Sequence, residues 1–221
     1  MGAKVANSGP FAIARVPLCA TTPPKRRPRR GFLPYFAPRT ERKFGTLNKQ
    51  HLQQHLHEHH ENFLRLLGSI PDEAFFRSVE TGKWSPAQQL DHIHKSTGAF
   101  NMALLLPKLM WKGFGTAKRP SRPYDVLVAD YQTCLAEGGK SSVKFNPADV
   151  KPHQRGVLTA ELRTIVDNMC KRIGKLSEKE LDRYRLPHPL LGKLTLREMS
   201  EFTIYHVQHH QRQVEAAVRE N

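Results

Sequence analysis

Hydrophobic positions recur at helical spacing in four segments of the chain. Because apolar residues three or four positions apart share one face of an α-helix, each segment predicts an amphipathic helix. The first predicted helix begins after Thr46 and runs to about Leu67, just before Gly68. The fourth opens on Thr195–Glu198 (TLRE), which matches the capping-box pattern, and runs to about Arg219.

The second predicted helix has the clearest start. Ser85–Gln88 (SPAQ) puts serine at the N-cap, proline at the first helical position and glutamine at the third, which is again a capping box. An apolar stripe from Leu90 to Leu104 follows on one face. We expect this helix to end near Pro107 or Trp111.

A long polar connection, about residues 113–153, separates the second and third predicted helices. It is rich in Gly, Pro and Lys, and a short helix from Tyr124 to Glu137 is predicted within it. The third predicted helix runs from about Val157 to Leu176, and no segment shows the alternation typical of a strand. The predicted fold class is therefore all-α, a four-helix bundle with a long crossover between its second and third helices.

The N-terminal fifth of the chain differs from the rest in composition. Residues 1–43 contain seven prolines, ten Lys or Arg and one acid, so they carry most of the net charge of +15. A basic, proline-rich stretch without apolar periodicity cannot bury enough surface to fold. We predict a disordered extension, residues 1–45, before a bundle domain, residues 46–221. The basic run Lys25–Arg30 is either part of a solvated tail or a contact for nucleic acid or an acidic membrane surface.

Other features narrow the class of protein. The longest apolar run, Met102–Leu106, is far below the roughly 18–20 residues that span a bilayer, so no membrane segment is expected. Cys19, Cys134 and Cys170 are too widely spaced for a disulfide framework or a thiolate zinc cluster. We therefore expect a reducing compartment, the cytoplasm.

Ten of the twelve histidines cluster on the predicted helices, and His153 and His188 lie in connections. At about 100° per residue, His206 and His210 share the buried face of the fourth helix, with His209 beside them. Imidazoles at positions i and i+4 can converge on one metal ion, and buried histidines otherwise need polar partners. On the second helix, His92 and His94 flank the apolar stripe equally, so periodicity does not choose between them. Small side chains on the His92 side leave room for a cavity.

One histidine motif invites a different interpretation. His55–His59 (HLHEH) matches the H-x-x-E-H pattern of inverted zinc peptidases, with Glu58 as a general base. Glutamine and glutamate residues surround the motif, which is typical of a solvated helix face. We favour the solvated face over a peptidase site.

Three segments together resemble the DinB/YfiT-like proteins. Trp84–Ile93 (WSPAQQLDHI) resembles the signature that opens their second helix. Tyr205–Gln213 (YHVQHHQRQ) resembles their terminal-helix signature, H-x-x-H-H-x-x-Q, and His188–Thr195 (HPLLGKLT) resembles the entry to that helix. The resemblance covers about residues 46–219 and leaves the N-terminal extension outside.

The resemblance implies a four-helix bundle with a long crossover and a divalent metal ion, zinc or nickel, held by three histidines. Carried across, the metal ligands are His92, His206 and His210. His209, their neighbour, and Gln213 are then candidates for lining the pocket or for contact with a metal-binding histidine.

The resemblance also implies several classes of function, because the family includes thiol-dependent S-transferases, a thiol-dependent maleylpyruvate isomerase and members of unknown activity. The leading hypothesis is a metalloenzyme acting on a small molecule, a thiol S-transferase or a hydrolase, with a low-molecular-weight thiol as partner. A non-catalytic metal-binding or stress-response module competes with it. A nucleic-acid-associated protein acting through the basic extension ranks last, because no aromatic residues interleave its basic run. An exposed helix face could support a homodimer.

Overall fold

Four long helices and a set of short connecting elements make up the part of the chain that the computed structural model describes, residues 46–78, 80 and 82–219. The predicted disordered extension, residues 1–45, lies outside these residues. The elements are α1 (Lys49–Ser69), α2 (Asp72–Phe76), α3 (Pro86–Ala103), α4 (Lys108–Phe114), α5 (Tyr124–Ala136), α6 (Gln154–Gly174), α7 (Glu178–Arg183), β1 (Arg185–His188), β2 (Gly192–Thr195) and α8 (Leu196–Arg219).

The long helices α1, α3, α6 and α8 pack into the predicted all-α four-helix bundle. α1 contacts α6 and α8, and α3 contacts the same two helices. Each helix therefore has two main neighbours, and α1 and α3 lie at opposite corners. The core between them is fully closed to solvent at residues such as Leu52, Phe63, Ile93 and Leu162.

Local capping chemistry sets the starts of α3 and α8, as the sequence predicts. The Ser85 hydroxyl accepts the Gln88 backbone N–H at 3.2 Å, and the Gln88 side chain accepts the Ser85 N–H at 3.0 Å. At α8, Thr195 and Glu198 form the same reciprocal pair, at 3.1 and 3.0 Å. Both boxes satisfy N–H groups that have no partner inside the helix.

The crossover between α3 and α6 starts earlier than predicted. α3 ends at Ala103, and a separate short helix, α4, begins after Pro107. Proline has no N–H to donate to residue 103 and would clash with its carbonyl. The indole of Trp111 instead donates to the Ala103 carbonyl at 2.8 Å. The helix predicted inside the crossover is present as α5, and a single 3₁₀ turn follows at Val143–Phe145.

The all-α bundle also contains a short β-hairpin, although no segment of the sequence shows the alternation typical of a strand. Strands β1 and β2 form an antiparallel hairpin that leads directly into α8. Each strand has four residues, too few for alternation to stand out in the sequence, although Leu186 and Leu194 pair and are both buried. Gly192 has a φ of +71°, which lets a three-residue loop close the hairpin. The short helices α2 and α7 were also not predicted.

Within the described residues, no helix combines the length and the apolar character needed to cross a lipid bilayer.

Candidate metal centre

Three histidines from two helices of the bundle meet at one point. His92 lies on α3, and His206 and His210 lie one turn apart on α8. The Nε2 atom of His206 is 3.2 Å from Nε2 of His92 and 3.1 Å from Nε2 of His210. All three side chains are buried. Within the described residues, this is the one group of three or more His, Cys, Asp or Glu residues that could hold a metal ion.

Hydrogen bonds orient two of the three rings. The Nδ1 atom of His92 donates to the Phe145 carbonyl at 2.7 Å, and Nδ1 of His210 donates to Oε1 of Gln89. A neutral imidazole carries hydrogen on one nitrogen and a lone pair on the other. Both Nε2 atoms therefore present lone pairs towards His206.

This donor set fits a divalent transition metal. Two nitrogens bound to one zinc ion at about 2.0–2.1 Å, at a tetrahedral angle, lie roughly 3.3 Å apart. The observed separations of 3.1 and 3.2 Å are close to that value. Histidines that bind metal commonly donate their other ring N–H to a carbonyl or carboxylate, and here the Phe145 carbonyl and Gln89 amide oxygen are such acceptors.

Burial also keeps the three imidazoles in the form that binds metal. It lowers the pKa of His206 and His210 well below the ordinary histidine value, and the neighbouring histidines lower it further. Burial likewise lowers the pKa of His92, against the opposing effect of the Phe145 hydrogen bond. The site is therefore neutral at pH 7, and its lone pairs are available without loss of a proton.

The crossover supplies the carbonyl that holds His92, and two residues of α3 fasten the crossover in place. Asp91 accepts the backbone N–H of Ala148 at 2.8 Å and pairs with Lys95 at 2.6 Å. Lys95 in turn donates to the Asn146 carbonyl at 3.1 Å. These contacts hold the turn containing Phe145 against α3, so Asp91, which immediately precedes His92, has a structural role.

A large cavity of about 1400 Å³ opens beside the three histidines, all of which line it. Small residues of α3, among them Ser96, Ala99 and Ala103, form part of its wall. Because one side of the histidine cluster faces this space, a ligand can approach the same point that the three Nε2 atoms share.

The other predicted site residues take outer positions. Gln213 accepts from Nε2 of Gln89 at 3.0 Å and donates to Nε2 of His209 at 2.9 Å. His209 is half-buried, and both side chains line the cavity. His94, the alternative to His92, faces α6 and pairs with Glu161 at 3.0 Å. The structure therefore brings His92, not His94, to the cluster on α8.

Sequence reasoning missed Gln89 and the Phe145 carbonyl. Gln89 precedes His92 by three positions and so shares its helix face, a signal that could have identified it. The Phe145 carbonyl comes from an irregular segment and has no signature in the sequence. Trp84, the first residue of the α3 motif, covers the site, with its ring centroid 4.9 Å from that of His92.

His188 is a further cavity residue whose role the sequence did not indicate. Its Nδ1 accepts the backbone N–H groups of Leu190 and Leu191, at 3.3 and 3.1 Å, so Nε2 carries the hydrogen. Burial lowers its pKa to about 3, which keeps the ring neutral at pH 7. The ring packs 4.3 Å from Phe202, which stacks on His206.

The HLHEH motif on α1 does not form a comparable cluster. His57 is exposed and pairs with Asp167 of α6 at 3.3 Å. His55 and His59 pack ring against ring at 5.6 Å, and Glu58 is exposed. The motif therefore lies on a largely solvated face, as its surroundings in the sequence suggest.

Comparison with known families agrees with the architecture and with the motifs. No curated protein and no solved structure gives a match to the chain. Residues 55–214 match the profile of the DinB_2 family, described as the DinB superfamily, and this stretch includes α3, the crossover and the three histidines. The chain therefore belongs to the DinB superfamily.

Proposed function

We propose that the protein binds one divalent metal ion, zinc or nickel, through His92, His206 and His210, and that it uses the ion in the chemistry of a small molecule. The observation that carries this proposal is the convergence of three neutral Nε2 atoms beside an open cavity, with Nε2 of His206 3.2 Å from that of His92 and 3.1 Å from that of His210. A closed site with four protein ligands would indicate a structural metal. Three ligands next to a cavity are typical of a catalytic one.

Thiol transfer fits this site better than hydrolysis. A bound divalent ion supplies a position at which a thiol or a water molecule loses its proton near neutral pH. Hydrolysis commonly adds a carboxylate as general base, and no Asp or Glu of the described residues lines the cavity. A thiol needs no such base once it is ionised. We therefore propose a thiol S-transferase that takes a low-molecular-weight thiol, with hydrolysis as the second candidate.

The chain's own residues have defined tasks in this proposal. Gln89 and the Phe145 carbonyl hold the Nδ1 hydrogens of His210 and His92, and thereby aim the Nε2 lone pairs. Trp84 shields one side of the site from water. His188 keeps a hydrogen on Nε2 and can donate it to an oxygen of a substrate in the cavity.

The first test is metal content, measured by plasma mass spectrometry on untagged protein. We expect about one zinc or nickel ion per chain, lost in the variant with His92, His206 and His210 all replaced by Ala. The matched control replaces His55, His57 and His59 of α1 by Ala, which removes as many histidines from the solvated face. Equal metal loss in both variants, or no metal in any protein after reconstitution, would overturn the proposal.

The second test separates an enzyme from a binding module. Metal-loaded protein is assayed with low-molecular-weight thiols and electrophiles, beside His210→Ala. Turnover that disappears in the variant supports the transferase, and turnover of esters or amides without thiol supports the hydrolase. A stoichiometric metal with no turnover in either assay identifies a non-catalytic metal-binding module.

A further inference from the structure

The charged residues that line the cavity all have the same sign. Five lysines contribute to its wall, and no aspartate or glutamate of the described residues does so. Most other lining residues are apolar or small. A cavity with cationic groups and no anionic ones favours ligands with negative charge, because the lysines can pair with the charge of a ligand that enters the cavity. The lysines are Lys83, Lys95, Lys140, Lys144 and Lys193.

Two of these lysines differ from the rest in their contacts. Lys83, Lys95 and Lys193 already have short contacts, to Glu80, Asp91 and the Phe114 carbonyl respectively. Lys140 and Lys144 are exposed at the cavity wall, and neither forms an ion pair within the described part of the chain. The Lys144 ammonium lies 5.9 Å from the ring of Phe145, a weak cation–π contact at most. These two ammonium groups are the ones that can receive an anionic group.

Lys144, one of the two lysines, is next in the chain to a residue that contacts the histidine cluster. Lys144 immediately precedes Phe145, whose carbonyl accepts from His92 at 2.7 Å. Ser141 and Ser142, between the two lysines, also line the cavity and add hydroxyl groups to the same turn. An anion held by Lys144 would therefore lie against the segment that contacts His92.

The cavity continues away from the histidines along α3. Ser96, Ala99 and Ala103 line it at intervals of three or four residues, so one helix face gives a wall of small side chains. From His92 to Ala103 this wall spans roughly 16 Å, at 1.5 Å rise per residue. Leu106 and Phe114, which follow α3 in the chain, also line the cavity. The volume of about 1400 Å³ exceeds that of most pockets for compact ligands.

We propose that the cavity binds an amphipathic carboxylate, with its anionic group at Lys140 and Lys144 and an elongated apolar chain along α3. This proposal deepens the proposed function, and it rests on that function for the metal ion at the three histidines. The ligand would place the atoms next to its carboxylate within reach of the three histidines. Its chain would bury apolar surface against Ala99, Ala103 and Phe114.

Calorimetric titration of the full chain, zinc-loaded, with sodium decanoate tests the proposal. We expect decanoate to bind, and neither decyltrimethylammonium, with the opposite charge, nor butyrate, with a short chain, to do so. Lys140→Ala with Lys144→Ala should weaken binding roughly five- to tenfold, the size expected for two exposed ion pairs. The charge-matched control, Lys151→Ala with Lys179→Ala, lies outside the cavity and should bind as the wild type does. Ala99→Trp should abolish binding, because the indole would occupy the part of the cavity along α3 where the apolar chain of the ligand lies.

The same titrations on the His92, His206 and His210 triple-Ala variant distinguish this inference from the metal proposal. Decanoate binding that keeps its dependence on Lys140 and Lys144 without metal supports the inference, even if the metal proposal fails. Binding that needs the histidines but is equal in the two lysine double variants would overturn the assignment of the anionic group. Equal binding of decanoate and decyltrimethylammonium, or no effect of Ala99→Trp in a folded protein, would overturn the proposal as a whole.

Discussion

Gln89 joins the histidine cluster to the surface of the bundle, since it accepts from His210 and donates to Gln213. Replacing it by Leu leaves the Nδ1 hydrogen of His210 without its acceptor and frees the ring to turn. Loss of such a partner commonly weakens metal binding by roughly 10–100-fold, and we expect a value in that range for Gln89→Leu. Competition with a chelating dye measures it.

Gln213→Leu is the comparison variant, because Gln213 hydrogen-bonds Gln89 and His209, whereas the acceptor of the His210 Nδ1 hydrogen is Gln89. We expect its effect on zinc affinity to be several times smaller. Wild-type affinity in Gln89→Leu would mean that the ring of His210 is held by packing alone, and that Gln89 is not a positioning residue.

His60 is a buried histidine that the metal proposal does not use. It is 1% exposed, its Nδ1 donates to the Leu56 carbonyl at 2.7 Å, and burial lowers its pKa to about 4. Its unfolded pKa is about 6.5, so below that pH the unfolded chain binds the proton that the folded one excludes. Burial of His60 therefore does not reduce the free energy of unfolding above about pH 6.5. Below that pH, the free energy of unfolding falls as the pH drops towards 4.

We therefore expect His60→Leu to reduce the acid sensitivity of the fold. Between pH 7 and pH 5, the contribution of His60 to the loss of unfolding free energy is about 2 kcal/mol. Urea unfolding of the metal-free wild type and of the variant at the two pH values measures the difference. An identical loss in both proteins would show that His60 is protonated without cost to the fold.

Helical periodicity predicted some residues of the site and left others undecided. It placed His206 and His210 on the buried face of their helix, because that face follows from the spacing of apolar residues on the same element. It could not choose between His92 and His94, since the choice depends on which neighbouring helix each face meets. His94 turns to Glu161 on α6, and His92 turns to α8, a contact between residues 114 positions apart.

At the scale of elements, Glu198 ties the start of α8 to the crossover. One carboxylate oxygen accepts the Thr195 N–H that closes the capping box, and the other accepts from Arg119 and from the Arg122 backbone, at 2.7 and 2.8 Å. The side chain of Glu198 is fully buried, while that of Arg119 is 47% exposed. These hydrogen bonds and the nearby arginines hold the pKa of Glu198 below its usual value, although burial opposes them.

Glu198→Ala should therefore destabilise the protein strongly. Removing one partner of a buried ion pair costs about 3–5 kcal/mol, and we expect a value near 3 kcal/mol because Arg119 is half-exposed. Glu198→Gln keeps an acceptor for the cap and should cost less than half as much. Urea unfolding at pH 7 compares the two variants. Equal losses would assign the stabilisation to the charge rather than to the cap.

The elements that the sequence predicted are those whose signals are local. The starts of α3 and α8 follow from four-residue capping boxes, and the long helices from apolar stripes of several turns. The hairpin depends on the pairing of two four-residue strands, and the end of α3 depends on where the helix breaks before Pro107. Leu186 and Leu194 are strand residues because they pair with each other. The Ala103 carbonyl, at the end of α3, accepts a hydrogen bond from the indole of Trp111 in the next helix.

At the scale of the whole molecule, the proposed metal ion would join α3 to α8 in a bundle that already has a closed apolar core. The core does not depend on the three histidines, so we expect the metal-free protein to fold, unlike small zinc domains that need their metal. A ligand that binds only the folded state stabilises it, by about 4 kcal/mol at a thousandfold excess over the dissociation constant. For a chain of this size, that corresponds to a rise of roughly 10 °C in the unfolding midpoint.

Thermal unfolding of chelator-treated protein, with and without added zinc, measures this rise. The triple-Ala variant of His92, His206 and His210 should fold, because alanine removes three neutral rings rather than an apolar layer, and its midpoint should not respond to zinc. The variant lacking His55, His57 and His59 should respond as the wild type does. A zinc-dependent rise that survives in the first variant and disappears in the second would place the ion on the solvated face of α1 instead, and the cavity would then have no metal at its end.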